Sequence, residues 1–565
     1  MKKTNLKKLY QLISNYNLDG YIVPKNDSFF TEQVKNDRLL LISNFSGSAG
    51  LAIILKKKNY LFVDSRYTIQ AKLESGKDFK IVKIHEKLPK NEFKNIKLGF
   101  DPNLFTYNQL DYLFGKKIKL LPIKSNLIDH IFKTKEILGK PFYSLPSYAT
   151  GESHKKKVNL ISRYLKKKKA DFLYISSPEN VAWLLNIRGS DTPFSPLPNC
   201  SLILSKNKKL YLITKKYKIK NLLRIKKLFL KQFIEEKNFK KLINSLKGKN
   251  FIVDGNTLSV FNENIIKSKF LITNRIDPCY IFKARKNTTE IKNMIQSHIA
   301  DGVALTKFIF WIKNLKNKHT TEKEAEKKLE NFRKKNKKYL YPSFNTIAGT
   351  GSNGAIIHYR ASKKTNKIIK KKDIFLCDSG GQYKYGTTDV TRTLCFDKQP
   401  KKVRDIFTLV LKGHIAVVTS NIIKNDTGKK LDFHARKFLK KYKLDYGHGT
   451  GHGVGYFLNV HEGPQSISKF NQIKLQEGMI LSNEPGYYKE GKFGIRIENL
   501  IYIVKQNKKL FFENLTLAPI DKDLINYKLL SYKEKDYLFN YHLLVYSKIS
   551  KYLNKNEKKW LIKNL

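Results

Sequence analysis

The fold is decided by the stretch Asp373-Ile-Phe-Leu-Cys-Asp378-Ser-Gly-Gly-Gln-Tyr-Lys-Tyr-Gly-Thr-Thr-Asp389-Val-Thr-Arg392. Apolar and β-branched residues stand at its two ends, and its glycine-rich middle is typical of a hairpin turn. Two strands folded about this turn would set Asp378 and Asp389 opposite each other. Like charges that face across a strand pair are destabilising. The pattern therefore predicts a cation between the two carboxylates.

A second hairpin repeats this arrangement further along the chain. Glu484 ends a strand-like run that begins at Met479, and Glu498 lies in Gly494-Ile-Arg-Ile-Glu498-Asn. Gly491 lies midway between the two glutamates, in a turn-like stretch. The sequence thus predicts two hairpins with a pair of carboxylates across each.

An imidazole ligand is available between the hairpins, in His448-Gly-Thr-Gly-His452-Gly-Val-Gly. Four carboxylates and one imidazole do not suit a structural zinc site, which is a closed tetrahedron of Cys and His. They suit a pair of harder divalent ions such as manganese. Each acid alone could be a strand cap, but five such residues in strand-and-glycine contexts argue against unrelated caps. The glycines oppose a helical zinc motif, and the run lacks the Gly-Lys-Ser/Thr ending of a phosphate loop.

These motifs resemble those of the dinuclear metallopeptidases with the pita-bread fold. Flanking motifs are similar to those of the Xaa-Pro aminopeptidases (aminopeptidase P) of the long, three-domain cytosolic type. They are Asn353-Gly-Ala-Ile-Ile-His358-Tyr, Asp378-Ser-Gly-Gly-Gln-Tyr, Leu458-Asn-Val-His461-Glu-Gly-Pro and Ile495-Arg-Ile-Glu-Asn. The resemblance covers nearly the whole chain. The resemblance is weaker at 27–32 and 43–50, where the sequence differs from the usual family sequence. This difference leaves the preferred length of the substrate open.

The resemblance implies that the protein binds two divalent metal ions, with Mn²⁺ the first candidate. The implied ligands are Asp378, Asp389, His452, Glu484 and Glu498. Asp389 and Glu498 would bridge both ions, Asp378 would chelate one, and His452 with Glu484 would complete the other. A metal-bridged hydroxide would then be the nucleophile.

The resemblance also implies the catalytic roles. Glu484 would act as the general base as well as a ligand. His358, His448 and His461 would hold the scissile carbonyl and the oxyanion, with His448 as the proton shuttle. Arg496 alternates onto the strand face of Glu498 and is expected to orient that carboxylate.

The implied reaction is hydrolysis of the bond between an N-terminal residue and a following proline. Three alternatives stay open. The first is an Xaa-Pro dipeptidase (prolidase), which shares the site but cuts only dipeptides. The others are a non-enzymatic pita-bread binding module and a metal-free creatinase-type hydrolase, both of which would lack the carboxylate set. The physiological peptide, the preferred first residue and the metal cannot be read from the sequence.

The predicted fold class is α/β (α+β), in four segments. The resemblance implies creatinase-N-type domains at 1–133 and 150–285, and a first buried strand after a basic helix in both segments predicts a repeat. A pita-bread catalytic domain is expected at 286–510, opened by Asn287 as a helix cap with Glu290 three residues on. A tail at 511–565 contains a capping box, Ser531-Tyr-Lys-Glu534, before a helical apolar stripe. The family likeness implies that this tail contributes to a homodimer.

Charge and composition bear on partners and compartment. The chain has 110 Lys and Arg against 47 Asp and Glu, a net charge of +63. The excess is scattered lysine, which predicts weak, salt-sensitive binding to polyanions but no specific nucleic-acid site.

The four cysteines show no metal or disulfide spacing. No apolar segment follows the basic N-terminus and none is long enough to span a membrane. These features predict a cytoplasmic protein with no membrane partner.

Overall fold

The computed structural model describes residues 3–132, 139–315, 319–423, 425–507 and 509–563. The chain forms two compact units, Met1–Tyr280 and Ile281–Leu565. Both contain helices and strands, so the predicted α/β class is confirmed. Among these residues, the structure has no helix that is long and apolar enough to cross a membrane.

The first unit contains two six-stranded sheets and one two-stranded sheet. Its strands are β1 Gly20–Pro24, β2 Leu51–Leu55, β3 Asn59–Val63, β4 Lys80–Lys83, β5 Lys97–Phe100, β6 Lys119–Pro122, β7 Tyr143–Ser144, β8 Phe172–Ile175, β9 Ile187–Arg188, β10 Ser201–Ser205, β11 Leu210–Thr214, β12 Phe233–Glu235, β13 Asn250–Val253 and β14 Leu271–Asn274.

Thirteen helices are described in this first part, and the last of them crosses the boundary between the units. They are α1 Lys3–Asn15, α2 Arg38–Ser43, α3 Thr68–Ser75, α4 Pro89–Glu92, α5 Tyr107–Phe114, α6 Leu127–Ile131, α7 Ser147–Thr150, α8 His154–Lys167, α9 Pro178–Leu185, α10 Lys220–Arg224, α11 Phe239–Ser245, α12 Val260–Lys267 and α13 Pro278–Ala284.

The two large sheets have the same topology. The first runs β4-β3-β2-β1-β5-β6 and the second β12-β11-β10-β8-β13-β14. Parallel and antiparallel pairs occur at equivalent places in the two sheets. An aspartate before the first strand makes the same bond in each: Asp19 accepts from the Lys97 amide (2.7 Å) and Asp171 from the Lys249 amide (2.8 Å). The predicted repeat is therefore confirmed, whereas its domain boundaries stay predictions.

The second unit contains sheets built mainly from antiparallel hairpins. Its strands are β15 Tyr339–Pro342, β16 Ile347–Thr350, β17 Ile374–Ser379, β18 Gly381–Tyr383, β19 Gly386–Thr387, β20 Val390–Cys395, β21 Gly451–Gly453, β22 Glu462–Ile467, β23 Ile480–Asn483, β24 Gly486–Lys489, β25 Phe493–Arg496, β26 Asn499–Gln506 and β27 Lys509–Asn514. Its helices are α14 Thr288–Lys313, α15 Glu322–Lys334, α16 Lys401–Val418, α17 Gly428–Lys440, α18 Tyr532–Ile549 and α19 Lys555–Ile562.

The hairpin of Glu484 and Glu498 has the predicted register. Asn483 pairs with Asn499 and Gly486 with Arg496, so both ladders are centred on Gly491. Gly491 has φ +72°, a conformation that favours glycine. The two glutamates lie directly opposite each other, in the break between the two ladders.

The register of the first hairpin differs from the prediction. Asp378 pairs with Thr391, not with Asp389, because the chain turns at Lys384–Tyr385. Asp389 precedes β20 by one residue and is the diagonal neighbour of Asp378 on the same face. The two carboxylates still lie on one face of the hairpin, but Asp389 is two residues before Thr391, the residue that pairs with Asp378.

Both predicted capping boxes are confirmed. Asn287 and Glu290 cap α14, and Ser531 and Glu534 cap α18. The apolar stripe of α18 packs into the core that also contains residues of β20, α16 and β25. The tail is therefore docked on the unit that contains both hairpins.

A single buried arginine joins the tail to both hairpins. The Arg392 guanidinium, 1% exposed, donates to the carbonyl oxygens of Thr391 (2.9 Å), Glu498 (2.7 Å), Ala518 (2.8 Å) and Pro519 (3.0 Å). It also donates to Asn499 Oδ1 (2.8 Å) and to the hydroxyl of Tyr541 on α18 (2.9 Å).

We expect the substitution Tyr541→Phe to lower the free energy of unfolding by about 1–3 kcal/mol, because it removes a buried hydroxyl that accepts from Arg392 and donates to Ala518 O. Tyr532→Phe on the same helix is the matched control: Tyr532 is 86% exposed, and its change should stay within about 0.5 kcal/mol. Chemical denaturation of both variants measures the difference. Equal effects would show that the Arg392–Tyr541 contact does not stabilise the tail.

Candidate active site

The five predicted ligands converge on one place. The ligand atoms of Asp389, His452 and Glu498 all lie within 4.8 Å of one another. Nε2 of His452 is 3.5 Å from Asp389 Oδ2 and 3.4 Å from Glu484 Oε1. The two hairpins and the glycine-rich strand β21, which carries His452, thus supply one cluster.

Glycines allow the strands to approach this closely. A Cβ on Gly451 would lie 1.9 Å from the Ser482 carbonyl oxygen, and a Cβ on Gly494 1.8 Å from that of Gly354. Ser482 also links the two strands, since its hydroxyl accepts from the His452 amide (2.9 Å) and donates to Glu484 Oε1 (3.1 Å).

The electrostatics of the cluster favour a bound cation. Burial, reinforced by the neighbouring carboxylates, raises the pKa of Asp389 and of Glu498 well above the ordinary values. Burial also raises the pKa of Glu484, although His452 and Arg496 oppose the shift. Within the described part of the chain, nothing donates a hydrogen bond to the buried Oδ1 of Asp378. Carboxylates that repel one another, with one oxygen unpaired, fit divalent metal ions.

Arg496 holds a different carboxylate from the one expected. Its Nη2 donates to Asp378 Oδ2 (2.6 Å) and its Nε to the Thr391 hydroxyl (3.0 Å). Thr391 in turn donates to Glu498 Oε2 (2.8 Å). The hydrogen bonds of Arg496 therefore reach Glu498 through Thr391, and its charge also opposes the rise in the pKa of Glu498.

His448 is held by Tyr488, a residue that the sequence analysis missed. The Tyr488 hydroxyl accepts from Arg496 Nη1 (2.6 Å) and lies 2.9 Å from His448 Nε2. Arginine can only donate, so the hydroxyl proton is free to point at Nε2, while Nδ1 lies 2.7 Å from the Gly449 carbonyl oxygen. These contacts favour the neutral imidazole with its proton on Nδ1. The register could have revealed Tyr488, which is the diagonal neighbour of Arg496 across β24 and β25.

The remaining two histidines lie on separate segments. The His461 ring is almost perpendicular to that of His452, with ring centroids 4.3 Å apart. His358 is half-buried in the loop between β16 and β17. That loop reaches β25 through the close approach of Gly354 to Gly494.

Family models match almost the entire chain. The model of metallopeptidase family M24 matches residues 292–505, and that of the C-terminal region of the same peptidases matches 508–565. Two models of the creatinase/prolidase N-terminal domain match 5–131 and 134–290.

Two curated relatives are similar over nearly their whole length. A probable Xaa-Pro aminopeptidase P of Laccaria bicolor is 36% identical, over 96% of this chain and 90% of its own. Xaa-Pro aminopeptidase 1 of Dictyostelium discoideum is also 36% identical, over 96% and 92%.

Two solved structures resemble this chain to different extents. An X-prolyl aminopeptidase of Caenorhabditis elegans, described as a cytosolic enzyme with a dinuclear active site, matches with a TM-score of 0.92 at 30% identity. The match covers 100% of this chain and 99% of that one. A prolidase of Pyrococcus furiosus matches with a TM-score of 0.51 at 26% identity, over 63% of this chain and 98% of its own.

We expect Mn²⁺ to stabilise the chelator-treated protein, by about 2.7 kcal/mol for each bound ion when free Mn²⁺ is a hundred times its Kd. Asp389→Asn should abolish this gain. The metal-free variant should be at least as stable as the wild type at neutral pH, because the substitution relieves repulsion among buried carboxylates.

Thermal melts with and without Mn²⁺ provide the measurement. Asp397→Asn is the matched control, since Asp397 is an exposed aspartate just beyond β20. A full Mn²⁺-dependent shift in the Asp389→Asn variant would contradict metal binding by this cluster.

Proposed function

We infer the activity from the premise that this chain belongs to metallopeptidase family M24 and, within it, to the Xaa-Pro aminopeptidases. The chain is a metal-dependent aminopeptidase that hydrolyses the bond between an N-terminal residue and a following proline. The observation that carries this conclusion is the match to an X-prolyl aminopeptidase over the whole chain. The prolidase structure leaves more than a third of the chain unmatched, and the intact set of five ligands disfavours a non-enzymatic module.

A proline peptide explains the use of metal chemistry. The X-Pro bond is a tertiary amide with no N–H that a peptidase could bind. Recognition must therefore use the other groups of the substrate, while the carbonyl is activated directly. Two divalent ions, when bound, supply Lewis acidity that polarises the carbonyl and makes water nucleophilic at neutral pH.

We propose that Asp378, Asp389, His452, Glu484 and Glu498 hold these two ions and that the ions are Mn²⁺. The mutual repulsion of the carboxylates and the unpaired Oδ1 of Asp378 support the ligand set. Oxygen-rich ligands with a single imidazole support manganese over zinc.

Glu484 is the proposed general base. Its Oε1 accepts from Ser482, while its Oε2 faces His448 with 3.9 Å between Oε2 and Nδ1. This carboxylate can take the proton of the attacking water at Oε2 and deliver it to the leaving proline nitrogen. Its raised pKa suits the first step, because the conjugate base of a weaker acid is a better proton acceptor.

The histidines and Arg496 have positioning and charge-stabilising roles in this proposal. His358 and His461 donate to the carbonyl oxygen as it gains negative charge. His448 shuttles a proton, and Tyr488 fixes its tautomer. Arg496 fixes Asp378 directly and Glu498 through Thr391.

The Mn²⁺-loaded enzyme should release arginine from Arg-Pro-Pro and lose this activity when a chelator is added. Glu484→Gln should lower kcat by at least about a hundredfold, since it removes both the base and a ligand. Chromatographic measurement of released arginine, with Arg-Pro as the second substrate, tests the proposal. Cleavage of Arg-Pro alone would favour a prolidase, and cleavage of neither peptide by protein carrying two metals would refute the peptidase.

We also propose a homodimer in the cytoplasm. The outer face of α18 exposes apolar side chains at helical spacing: Tyr532, Phe539 and Leu543 are 86, 50 and 44% exposed. A docked helix with a second apolar face is suited to contact with another copy. The C. elegans relative, described as cytosolic, supports the compartment.

The double substitution Phe539→Asp, Leu543→Asp should halve the mass measured by light scattering after gel filtration, because it places charges in the apolar contact. Phe470→Asp, at a 78% exposed position outside the tail, should leave the mass unchanged. A monomeric wild type, or a double variant that stays dimeric, would refute this interface.

A further inference from the structure

A buried glutamate outside the predicted site gathers donors from a single loop. Glu322, the first residue of α15, has an exposed fraction of 0%. Its carboxylate accepts from the Thr350 amide (2.8 Å), the Asn353 side-chain amide (2.9 and 3.0 Å), the Tyr359 hydroxyl (2.8 Å) and the Lys367 amide (3.0 Å).

These donors satisfy the carboxylate without a counter-ion. No lysine or arginine of the described ranges forms an ion pair with Glu322. Its position at the N-terminus of α15 adds the favourable end of the helix dipole. Four convergent donors offset the cost of burying this carboxylate, whereas leaving it with fewer would be costly.

The four donors enclose the segment that carries His358. Thr350 and Asn353 precede the histidine, whereas Tyr359 and Lys367 follow it. One carboxylate therefore ties together the two ends of the loop, and one of its donors is the residue next to His358.

The same loop contacts the active site on its other side. Tyr359 is buried in a small apolar cluster against which Tyr488, the partner of His448, also packs. The Gly354 carbonyl lies so close to Gly494, two residues before Arg496, that no side chain fits there. The loop is thus held between Glu322 and β25.

We propose that Glu322 is a positioning residue, which acts on catalysis by holding the loop that presents His358 to the substrate. This inference rests on the proposed function, in which His358 contacts the scissile carbonyl. Glu322 itself touches neither substrate nor metal in this scheme.

A double-mutant cycle separates positioning from general stabilisation. The variants are Glu322→Gln, His358→Ala and the combination of both, each loaded with Mn²⁺ and assayed on Arg-Pro-Pro. Glu322→Gln should lower kcat by about 10- to 100-fold, the usual effect of losing a residue that orients a catalytic group, and should change KM by less than about twofold. In the His358→Ala background the same substitution should change kcat by less than about twofold.

The controls fix the interpretation. Glu330→Gln, at a half-buried position of α15 where the carboxylate pairs with Lys334, should leave kcat unchanged. Tyr359→Phe removes one donor and leaves the carboxylate in place, so it should give a smaller loss that also disappears in the His358→Ala background. If Glu322→Gln does not fold, Tyr359→Phe replaces it in the double-mutant cycle. Metal content should stay at two ions per chain in every variant.

The possible results distinguish this inference from the proposed function. Equal losses from Glu322→Gln in both backgrounds would overturn the positioning role while leaving the peptidase intact. An unchanged kcat in His358→Ala would also overturn it, since there would be nothing to position. An inactive, metal-loaded wild type would refute the proposed function and the inference with it.

Amide hydrogen exchange tests the anchor without any activity measurement. Thr350 and Lys367 donate their own amides to Glu322. In Glu322→Gln, exchange across 350–367 should accelerate at least about tenfold, because two of the four donors lose their acceptor. Glu330→Gln should show no acceleration. Unchanged exchange in Glu322→Gln would overturn the proposed anchor.

Discussion

The fold of the second unit holds four buried carboxylates close together, so that they repel one another. They belong to Asp378, Asp389, Glu484 and Glu498. Burial makes each negative charge expensive, and the neighbouring charges add to the cost. Arg496 neutralises part of this charge at Asp378, and His452 lies between Asp389 and Glu484. His461 also opposes the rise in the pKa of Asp389 and of Glu484. This repulsion lowers the stability of the metal-free protein, and divalent ions held by the proposed ligands would relieve it.

Strand geometry explains which parts of this site were predictable from the sequence. Turn chemistry fixes a register when the turn residue has few alternatives, and Gly491 with its positive φ is such a residue. The opposition of Glu484 and Glu498 followed from that position. The first hairpin has glycines on both sides of Lys384–Tyr385, so its sequence allows several turns. The offset between Asp378 and Asp389 was decided by tertiary pairing of β18 with β15, which no local pattern reveals.

Long-range contacts were the least accessible to sequence reasoning. The rest of helix α15 and strands β15 and β16 separate Glu322 from Lys367 in the sequence, and the sequence around Glu322 is that of an ordinary helix start. Tyr488 begins the stretch 488–494, whose sequence predicts only a turn. The repeat in the first unit is visible in the sequence because Asp19 and Asp171 each precede an apolar run that becomes a buried strand. The shared strand order could not be derived, since fully buried strands contain few polar residues to mark their neighbours.

Arg392 also imposes an order of assembly on the chain. Its guanidinium is buried among neutral acceptors that come from the first hairpin, the second hairpin and the segment 518–541. During synthesis the first hairpin leaves the ribosome about 150 residues before Tyr541, at a time when this charge has no complete set of acceptors. Until α18 emerges, the guanidinium lacks one of these acceptors, the Tyr541 hydroxyl. The hydrogen bonds through which Arg392 joins both hairpins to the tail are therefore completed only after α18 has been synthesised.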